Sequence, residues 1–236
     1  MKEKNIESVT SCKIKGCRVC LNGWAESVKV GELDYWHCPN CAAMFLDEAH
    51  LPNRQAEYER YLLHKNDPYD LRYRNFLMKL YEPLLEKLRP GMKGLDFGCG
   101  SGPALGTMFI EKRYDVAFYD PFFYPDTSVL NRTYDFIICS EVIEHFHRPA
   151  HEFCKLDAML NLGGWLGIMT CFLPNETQFA NWHYRSDLTH VAFYCEKTFE
   201  YIAWQFGWNY EIKAKDIVLM QRNATSVPLS RRCNCI

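Results

Sequence analysis

The sequence predicts an α/β fold in which a small zinc-ribbon module precedes a doubly wound, mainly parallel sheet. Two observations predict it. Two Cys-x-x-Cys pairs, at 17–20 and 38–41, are separated by 17 residues, a spacing typical of a four-cysteine zinc site. Further along, short apolar runs alternate with helix-like segments from about residue 90 onward, which is the pattern of βαβ units and a parallel sheet.

The N-terminal module is predicted to span residues 1–48 and to bind one structural Zn²⁺. Its ligands would be Cys17, Cys20, Cys38 and Cys41. Four thiolates leave no open coordination position, so such a zinc ion would not be catalytic. The segment between the pairs alternates in polarity and breaks at Gly31, as a short hairpin would. Cys12 and His37 are spare donors nearby, and two disulfides or four reduced thiols are the alternatives.

Residues 49–90 are predicted to form a helical connector and an N-terminal helix. Asp67-Pro68 resembles a helix start, because proline is favoured at the first helical position. Leucines at helical spacing follow, and Pro90-Gly91 ends the run.

The next stretch, 93–103, places three alternate glycines between an apolar run and a helix-like segment. Glycine allows positive φ and lets a ligand approach the backbone, and the following helix offers unpaired N–H groups to an anion. Asp96 ends the apolar run, and Asp120 closes the next one 24 residues later. In a doubly wound sheet this second carboxylate lies across the crevice, where it can accept protons from two ribose hydroxyls.

The remaining elements follow from the same patterns. Strands are predicted at 116–119, 134–140, 165–170, 209–213 and 216–221, and helices at 104–112, 149–160 and 199–206, the last stopped by Gly207. The last two strands would form an antiparallel hairpin, and residues 223–236 are expected to be a loose tail.

Four runs now stand in order: LDFGCGSG, the terminal Asp120, YDFIICSEVIEH and LNLGGWLGIMT. They resemble the successive motifs of class I S-adenosylmethionine (SAM)-dependent methyltransferases of the methyltransferase-23 and ubiquinone O-methyltransferase-like type, over about residues 95–221. The resemblance implies SAM as cofactor and a seven-stranded, Rossmann-like methyltransferase sheet over residues 91–222. A pyridine-nucleotide enzyme would show G-x-G-x-x-G, whereas this chain has G-x-G-x-G.

The resemblance also implies where the cofactor binds. The predicted SAM-binding residues are Asp96, Gly98, Cys99, Gly100, Gly102, Asp120, Pro121, Phe122, Ser140 and Glu141. The segment from Asp120 to Asp135 is too short for the helix and strand that relatives carry there, so no adenine-reading acid is named. Glu141, Glu144 and His145 occupy positions that hold a divalent cation in ubiquinone-type enzymes, but packing below the site is the favoured interpretation.

An unusual mixture of aromatic and ionisable residues, 179–194, follows the fifth predicted strand. This position is on the rim where doubly wound sheets bind ligands, so we predict the acceptor pocket there. The predicted substrate-binding residues are Trp182, Tyr184, Arg185, Phe193 and Tyr194. His190 or His183 is predicted to take the acceptor's proton, since a histidine pKa of about 6.5 suits a base at neutral pH, and Asp187 could orient either ring. Mutual hydrogen bonds that only fix the loop are the alternative.

Composition sets the remaining bounds. The chain has 236 residues, 48% of them hydrophobic, and a formal charge of −2, which fits one core plus a small module and gives no overall basic bias for nucleic acid. No apolar run approaches the ~20 residues that span a bilayer, and no secretory signal precedes the cysteines. Several of the twelve cysteines, Cys139 and Cys154 among them, are expected to be buried thiols, which favours a reducing cytoplasm.

The sequence therefore predicts a SAM-dependent methyltransferase that acts on an oxygen or nitrogen of a small-molecule acceptor. Three alternatives stay open: a zinc-ribbon-assisted RNA methyltransferase, a sugar C-methyltransferase-like tailoring enzyme, and a SAM-binding scaffold without turnover. Salt-dependent RNA binding would favour the first, and SAM turnover with a metabolite pool would exclude the last.

Overall fold

The computed structural model describes residues 14–63, 66–174 and 176–224, and the first of these ranges opens with a small antiparallel sheet. Its strands are β1 (Ile14–Gly16), β2 (Trp24–Val30), β3 (Leu33–His37) and β4 (Met44–Leu46). The β2–β3 hairpin turns at Gly31, whose φ of 61° favours glycine. The hairpin predicted between the cysteine pairs is therefore present. Cys12 lies outside the described residues.

Two helices follow in the connector. Helix α1 (Arg54–Tyr61) begins after Asn53, whose side chain accepts a hydrogen bond from the Ala56 amide, and α2 (Leu71–Leu85) begins after Asp70, which accepts from the Arg72 amide. Side-chain oxygens of this kind satisfy amides that a helix start leaves unpaired. Helix α2 thus begins slightly later than Asp67-Pro68 suggested.

The remaining elements build the main sheet and its helices. They are β5 (Lys93–Phe97), α3 (Ala104–Glu111), β6 (Asp115–Tyr119), β7 (Tyr134–Ser140), α4 (Pro149–Met159), β8 (Leu160–Met169), α5 (Glu176–Phe179), β9 (Ala192–Phe193), α6 (Glu196–Phe206), β10 (Trp208–Ala214) and β11 (Ile217–Arg222). The sheet order is β10-β11-β8-β7-β5-β6. Strands β5 to β8 run parallel, and the β10–β11 hairpin closes one edge antiparallel to β8. This is the predicted doubly wound α/β sheet.

The main sheet has six strands in the described residues, one fewer than the seven that the resemblance implied. Between β6 and β7 the chain forms only a 3₁₀ turn, Thr127–Asn131. A parallel crossover alone needs a dozen or more residues, so this short segment cannot add a strand. Strand β6 is consequently the edge of the sheet beside the glycine turn.

The core has one layer on each face of the sheet. Helices α2 and α3 cover one face through Leu80, Leu84 and Phe109. The other face carries α4 and α6, and its apolar cluster runs without a break into the ribbon cysteines. Strand β9 also pairs with β4, with Met44 opposite Phe193, and so extends the ribbon sheet to five strands. The predicted 1–48 module, as far as it is described, therefore shares both a sheet and a core with later residues.

Two sequence expectations concern the surroundings of the protein. No helix in the described ranges is both long and apolar enough to cross a membrane. Cys139 is a buried free thiol as expected, but Cys154 in α4 is disulfide-bonded. The expectation of a free thiol is wrong for Cys154, and the cytoplasmic location stays a prediction.

Candidate functional site

A cleft of about 710 Å³ opens at the carboxyl edge of β5, β6 and β7. This volume is within the range of small-molecule sites. Eleven predicted site residues line it: Asp96, Gly98, Cys99, Gly100, Asp120, Pro121, Phe122, Ser140, Glu141, Asp187 and His190. Gly102, also predicted, belongs to the same turn but does not line the cleft.

The glycine turn is held to the end of β6. Gly98 and Gly100 have φ values of 76° and 63°, which only glycine adopts readily. The amides of Gly98 and Cys99 donate to the Tyr119 carbonyl at 2.7 and 3.1 Å. At Gly102 an added Cβ would lie 1.5 Å from the Asn66 carbonyl oxygen, so no larger residue fits there. The alternating glycines therefore serve backbone conformation at two positions and close packing at the third.

Asp120 orients the loop that follows β6. Its Oδ1 accepts from the amides of Phe122 and Phe123 at 2.8 and 3.0 Å, and its Oδ2 accepts from Gly100 at 3.1 Å. The carboxylate thus joins the glycine turn to the aromatic loop and lies at the cleft wall, with 8% of the residue exposed. This arrangement fixes the side chain before any ligand binds.

Two further polar groups face the cleft from β5 and β7. Asp96 accepts from the Gly106 amide at 2.9 Å, and burial raises its pKa to about 7. The buried Ser140 Oγ has no hydrogen-bond partner within the described residues. A buried hydroxyl without a partner is costly, so a ligand that bonds to Ser140 would satisfy it.

Helix α1 contributes a wall that the sequence analysis missed. Tyr58 stacks on Phe122 with ring centroids 5.8 Å apart, and Tyr61 meets the same ring edge-on at 5.5 Å. The Arg54 guanidinium lies 4.5 Å above Phe122 and donates to the Pro121 carbonyl at 2.9 Å. The spacing of the two tyrosines on one helical face was the available signal, but the polar segment was interpreted only as a connector.

His190 has a fixed orientation at the acceptor side. Its Nδ1 lies 2.7 Å from the Tyr184 carbonyl oxygen, and because a carbonyl can only accept, Nδ1 carries the proton and Nε2 the lone pair. His145 Nδ1 likewise donates to the Thr189 carbonyl at 2.9 Å. Burial, reinforced by neighbouring His145, lowers the pKa of His190 to about 4. His190 is therefore neutral at pH 7 with its lone pair on Nε2, and the lowered pKa makes it a weaker proton acceptor than an exposed histidine.

Within the described residues, Asp187 does not contact a histidine ring as predicted, and His183 does not reach the cleft. The Asp187 carboxylate accepts from Arg60 Nε at 2.8 Å and from the Thr189 hydroxyl at 2.7 Å, and these partners, Arg60 first, hold its pKa well below the usual range despite burial. Among its described contacts this carboxylate bonds to neither histidine ring, so it ties the loop to α1. His183 is exposed, lies in the 3₁₀ turn His183–Ser186 and does not line the cleft.

The five residues predicted to bind substrate do not line the cleft. They pack between the main sheet and the ribbon: Trp182 against Phe179 and Phe193, Arg185 against Tyr35, Phe193 within β9, and Tyr194 with its hydroxyl on the Ile143 carbonyl at 2.8 Å. Tyr184 is buried beneath the site. Aromatic rings interleaved with charges thus form an interface with the ribbon here, which the sequence analysis did not predict.

Tyr184 instead links two buried carboxyls. Its hydroxyl donates to Glu144 Oε1 and lies 3.1 Å from Glu141 Oε2, and the Thr170 hydroxyl donates to Glu144 Oε2 at 2.9 Å. Burial is the largest cause that raises the pKa of Glu141 to about 8 and that of Glu144 to about 7. Glu141 also has a φ of 55°, a strained value for a residue with a side chain and one often found at functional sites.

Glu141, Glu144 and His145 do not converge as a set of possible cation ligands. Residues 143–145 form a 3₁₀ turn, and the donor atoms within 4.8 Å of one another belong to Glu144, His145 and His190 instead. Both carboxylate oxygens of Glu144 already accept hydrogen bonds from protein hydroxyls. This geometry favours the packing interpretation over the cation-binding one.

The raised carboxyl pKa values predict a pH-dependent stability. An unfolded glutamate has a pKa of about 4.3. Between about pH 4 and 8 the folded protein therefore holds more protons at these two glutamates than the unfolded protein does, and its stability falls as pH rises. Glu144→Gln keeps an oxygen for Tyr184 but cannot ionise. We expect the variant to lose less unfolding free energy than the wild type between pH 5 and 8, by on the order of 1–3 kcal/mol.

Urea unfolding at pH 5, 6.5 and 8 checks this difference. Glu111→Gln is the control, because that glutamate is exposed and Arg74 lowers its pKa, so its loss cannot flatten the profile. Parallel profiles for Glu144→Gln and the wild type would show that Glu144 is ionised throughout this range.

The four ribbon cysteines have the geometry of a zinc centre. The sulfur atoms of Cys17 and Cys41 are 3.8 Å apart, as are those of Cys20 and Cys38. Zn–S bonds of about 2.3 Å at tetrahedral angles give the same S–S separation, about 3.8 Å. All four are free thiols, and His37 is not part of the cluster. An added Cβ at Gly23 would lie 2.8 Å from Cys38 Sγ, so the chain at Gly23 packs directly against this cysteine.

Comparison with known proteins gives one substantial match. A family model described as "Methyltransferase domain" matches residues 69–211, which is more than half of the 236 residues. The matched range contains the glycine turn, Asp120 and His190, so it includes the cleft described above except for the α1 wall and Asn66. No curated protein matches the chain.

Solved structures overlap with the chain more loosely. An O-methyltransferase family protein from Burkholderia thailandensis is 12% identical, with 73% of this chain and 63% of that one covered and a TM-score of 0.48. The PH0226 protein from Pyrococcus horikoshii OT3 is 15% identical (70% and 96% covered, TM-score 0.48). The N-methyltransferase NodS from Bradyrhizobium japonicum WM9, solved with S-adenosyl-L-homocysteine, is 16% identical (71% and 96%, TM-score 0.41). The chain spans less than two-thirds of the first of these proteins, and none of the three indicates its substrate.

Proposed function

The chain belongs to the methyltransferase-domain family, and on that premise we propose that it transfers a methyl group from SAM to a small-molecule acceptor in the 710 Å³ cleft. The observation that carries the proposal is the convergence of the glycine turn, Asp120 and His190 on this one cleft. When bound, SAM supplies an electrophilic methyl group on a sulfonium. The residues described below bind SAM, orient it and remove the proton of the acceptor.

The cofactor side is assigned to the turn at 98–102 and the loop after β6. The fixed Asp120 carboxylate would accept hydrogen bonds from the ribose hydroxyls, as in other doubly wound sheets. Phe122, held between Tyr58, Tyr61 and Arg54, offers a flat apolar face for the adenine. Ser140, whose hydroxyl has no partner in the described part of the chain, could bond to the same ligand.

The acceptor side is assigned to His190. Methyl transfer is an in-line displacement, so alignment supplies much of the catalysis. An oxygen or nitrogen acceptor must also lose its proton, and neutral His190 can take it at Nε2. Asp187 is assigned the role of fixing the loop to α1, and His183 is not assigned a role. A small-molecule acceptor is favoured over RNA by the concave, partly aromatic cleft and by the formal charge of −2.

The ribbon is assigned a structural zinc ion, and residues 91–222 the methyltransferase domain. The division into a module at 1–48, a connector at 49–90 and a tail at 223–236 stays a prediction. Strand β9 belongs to the ribbon sheet, so the module is not separate from the later residues.

Substitution of Asp120 tests the cofactor assignment. We expect Asp120→Ala to weaken SAM binding by roughly 1.5–3 kcal/mol, the value of hydrogen bonds to a charged group, which is about 10- to 150-fold in Kd. Isothermal titration calorimetry with SAM measures it.

Asp126→Ala is a matched control, since that carboxylate also caps a backbone turn, at the Ser128 amide, but does not line the cleft. SAM affinity should be unchanged in the control. Unchanged affinity in Asp120→Ala, or tighter binding of NAD than of SAM to the wild type, would overturn the assignment.

A further inference from the structure

A continuous path of hydrogen bonds joins the ribbon to the wall of the cleft. The Leu46 amide of β4 donates to the Val191 carbonyl at 2.9 Å, and the Val191 amide donates to the Glu144 carbonyl at 2.8 Å. Both peptide groups of Val191 are therefore occupied, one by the ribbon and one by the 143–145 turn. His190, which precedes Val191 in the chain, lines the cleft, whereas Glu144 at the far end of the path is fully buried.

Arg18 extends the path into the first zinc knuckle. Its Nη2 donates to the Leu46 carbonyl at 2.7 Å, its guanidinium lies 4.9 Å from the centre of the Phe45 ring, and its own carbonyl accepts from the Ala150 amide at 3.1 Å. This arginine stands between Cys17 and Cys20 in the sequence. It thereby connects the metal knuckle, β4 and the start of α4.

The register of β9 explains how this path reaches His190. Met44 pairs with Phe193 and Phe45 with Ala192, so β4 fixes the residues immediately after His190. The His190 ring is fixed on its other side by the Tyr184 carbonyl. The bond to the Tyr184 carbonyl sets the tautomer of His190, and the backbone pairing after His190 sets the position of its ring. If Val191 moved, the ring would move away from the Tyr184 carbonyl, so both the orientation and the tautomer would be released.

We propose that the ribbon is a positioning element of the active site, in which Arg18 and Leu46 hold Val191 and thereby orient His190. The catalytic meaning of this coupling rests on the proposed function, whereas the coupling itself does not. A zinc ion in the ribbon would then act on the site only through the protein backbone.

Arg18→Met tests the coupling in the full-length, zinc-loaded protein. Among the described residues, Nε and Nη1 of Arg18 have no hydrogen-bond partner, so methionine loses the bond to Leu46 and the guanidinium contact with the Phe45 ring and retains an apolar stem. We expect hydrogen exchange at the Leu46 and Val191 amides to accelerate by about tenfold or more, since exchange reports local opening. The ¹⁵N spectrum of the His190 ring should change from one Nδ1–H tautomer to a mixture.

Arg222→Met is the matched control, because Arg222 also donates to backbone carbonyls, those of Asp157 and Leu160, at 2.7 and 2.5 Å. It lies away from the ribbon and should alter neither readout. Arg18→Lys, which retains a donor, should restore part of the wild-type protection at Val191. Zinc content and exchange at Leu95 and Ile137 in the main sheet should equal the wild type in all three variants.

Unchanged exchange at Val191 and an unchanged His190 tautomer in Arg18→Met would overturn the proposal. The same changes in Arg222→Met would also overturn it, because they would then reflect general loosening. Neither readout needs a methyl acceptor, so a failure of the proposed methyl transfer would leave this test intact. Normal turnover in Arg18→Met, together with faster exchange at Val191, would refute the positioning role of the ribbon and leave the proposed methyl transfer standing.

Discussion

Replacement of Cys38 with serine is expected to release the zinc ion and unfold the ribbon sheet. A structural zinc site contributes its binding free energy to folding, an apparent ~10–16 kcal/mol in isolated zinc fingers, and three thiolates do not complete the tetrahedral centre. Elemental analysis of protein purified without chelator should find about one zinc per chain in the wild type and little in the variant. The melting temperature should fall strongly, because the ribbon shares its core with α4 and α6.

Cys195→Ser provides the matched control. Cys195 is near the ribbon, with Sγ 3.8 Å from the Ala42 carbonyl oxygen, but it is outside the four-cysteine cluster. The control should retain its zinc and its melting temperature. A wild-type ribbon that is folded without metal, or an S–S bond within either cysteine pair, would contradict the zinc assignment.

The family, the α/β class and the cysteine cluster could all be predicted from sequence, because each depends on short-range spacing. Three alternate glycines followed by Asp120 set a local turn and a neighbouring strand end, and the two cysteine pairs set two knuckles. Such features are encoded within a few tens of residues. The resemblance implied seven strands, but the short 120–135 segment already indicated that one would be lacking, and the sheet has six over the residues that the structure describes.

The surroundings of the 179–194 loop could not be predicted in the same way. Its aromatic residues pack against β3 and β4, more than a hundred residues earlier in the chain. Which surface covers an aromatic side chain depends on tertiary pairing, and a ligand pocket and a protein interface favour the same residue types. Only Asp187 and His190 of this loop's predicted residues consequently line the cleft.

The sequence analysis did not predict that α1 forms a wall of the cleft, and the reason is different. In described structure none of the α1 residues is buried, so its sequence lacks the apolar stripe that marks a core-facing helix. Arg54, Tyr58 and Tyr61 act through ring faces and a backbone carbonyl rather than through burial. A helix that borders an open cleft can look, in sequence, like a connector.

Exchange of His190 for glutamine is expected to lower turnover by about 10²–10⁴-fold, the usual contribution of general acid–base catalysis, with SAM affinity nearly intact. Glutamine can still donate to the Tyr184 carbonyl, but it cannot take the acceptor's proton. Because burial lowers the pKa of His190 to about 4, the wild-type base is already neutral above about pH 5 and is lost only as pH falls through this value. Protonation of His190 should therefore not limit the rate between pH 6 and 8.

SAM consumption with a metabolite extract as the acceptor pool, together with calorimetry and thermal unfolding, separates the two roles of His190. His183→Gln is the control, since that histidine is on the same loop but exposed and outside the cleft, and it should retain wild-type turnover. If His190 only fixes the loop, its substitution should lower the melting temperature and SAM affinity together, because the ring is packed against Tyr184 and His145. A loss of turnover without either change is the result that assigns the proton transfer to His190.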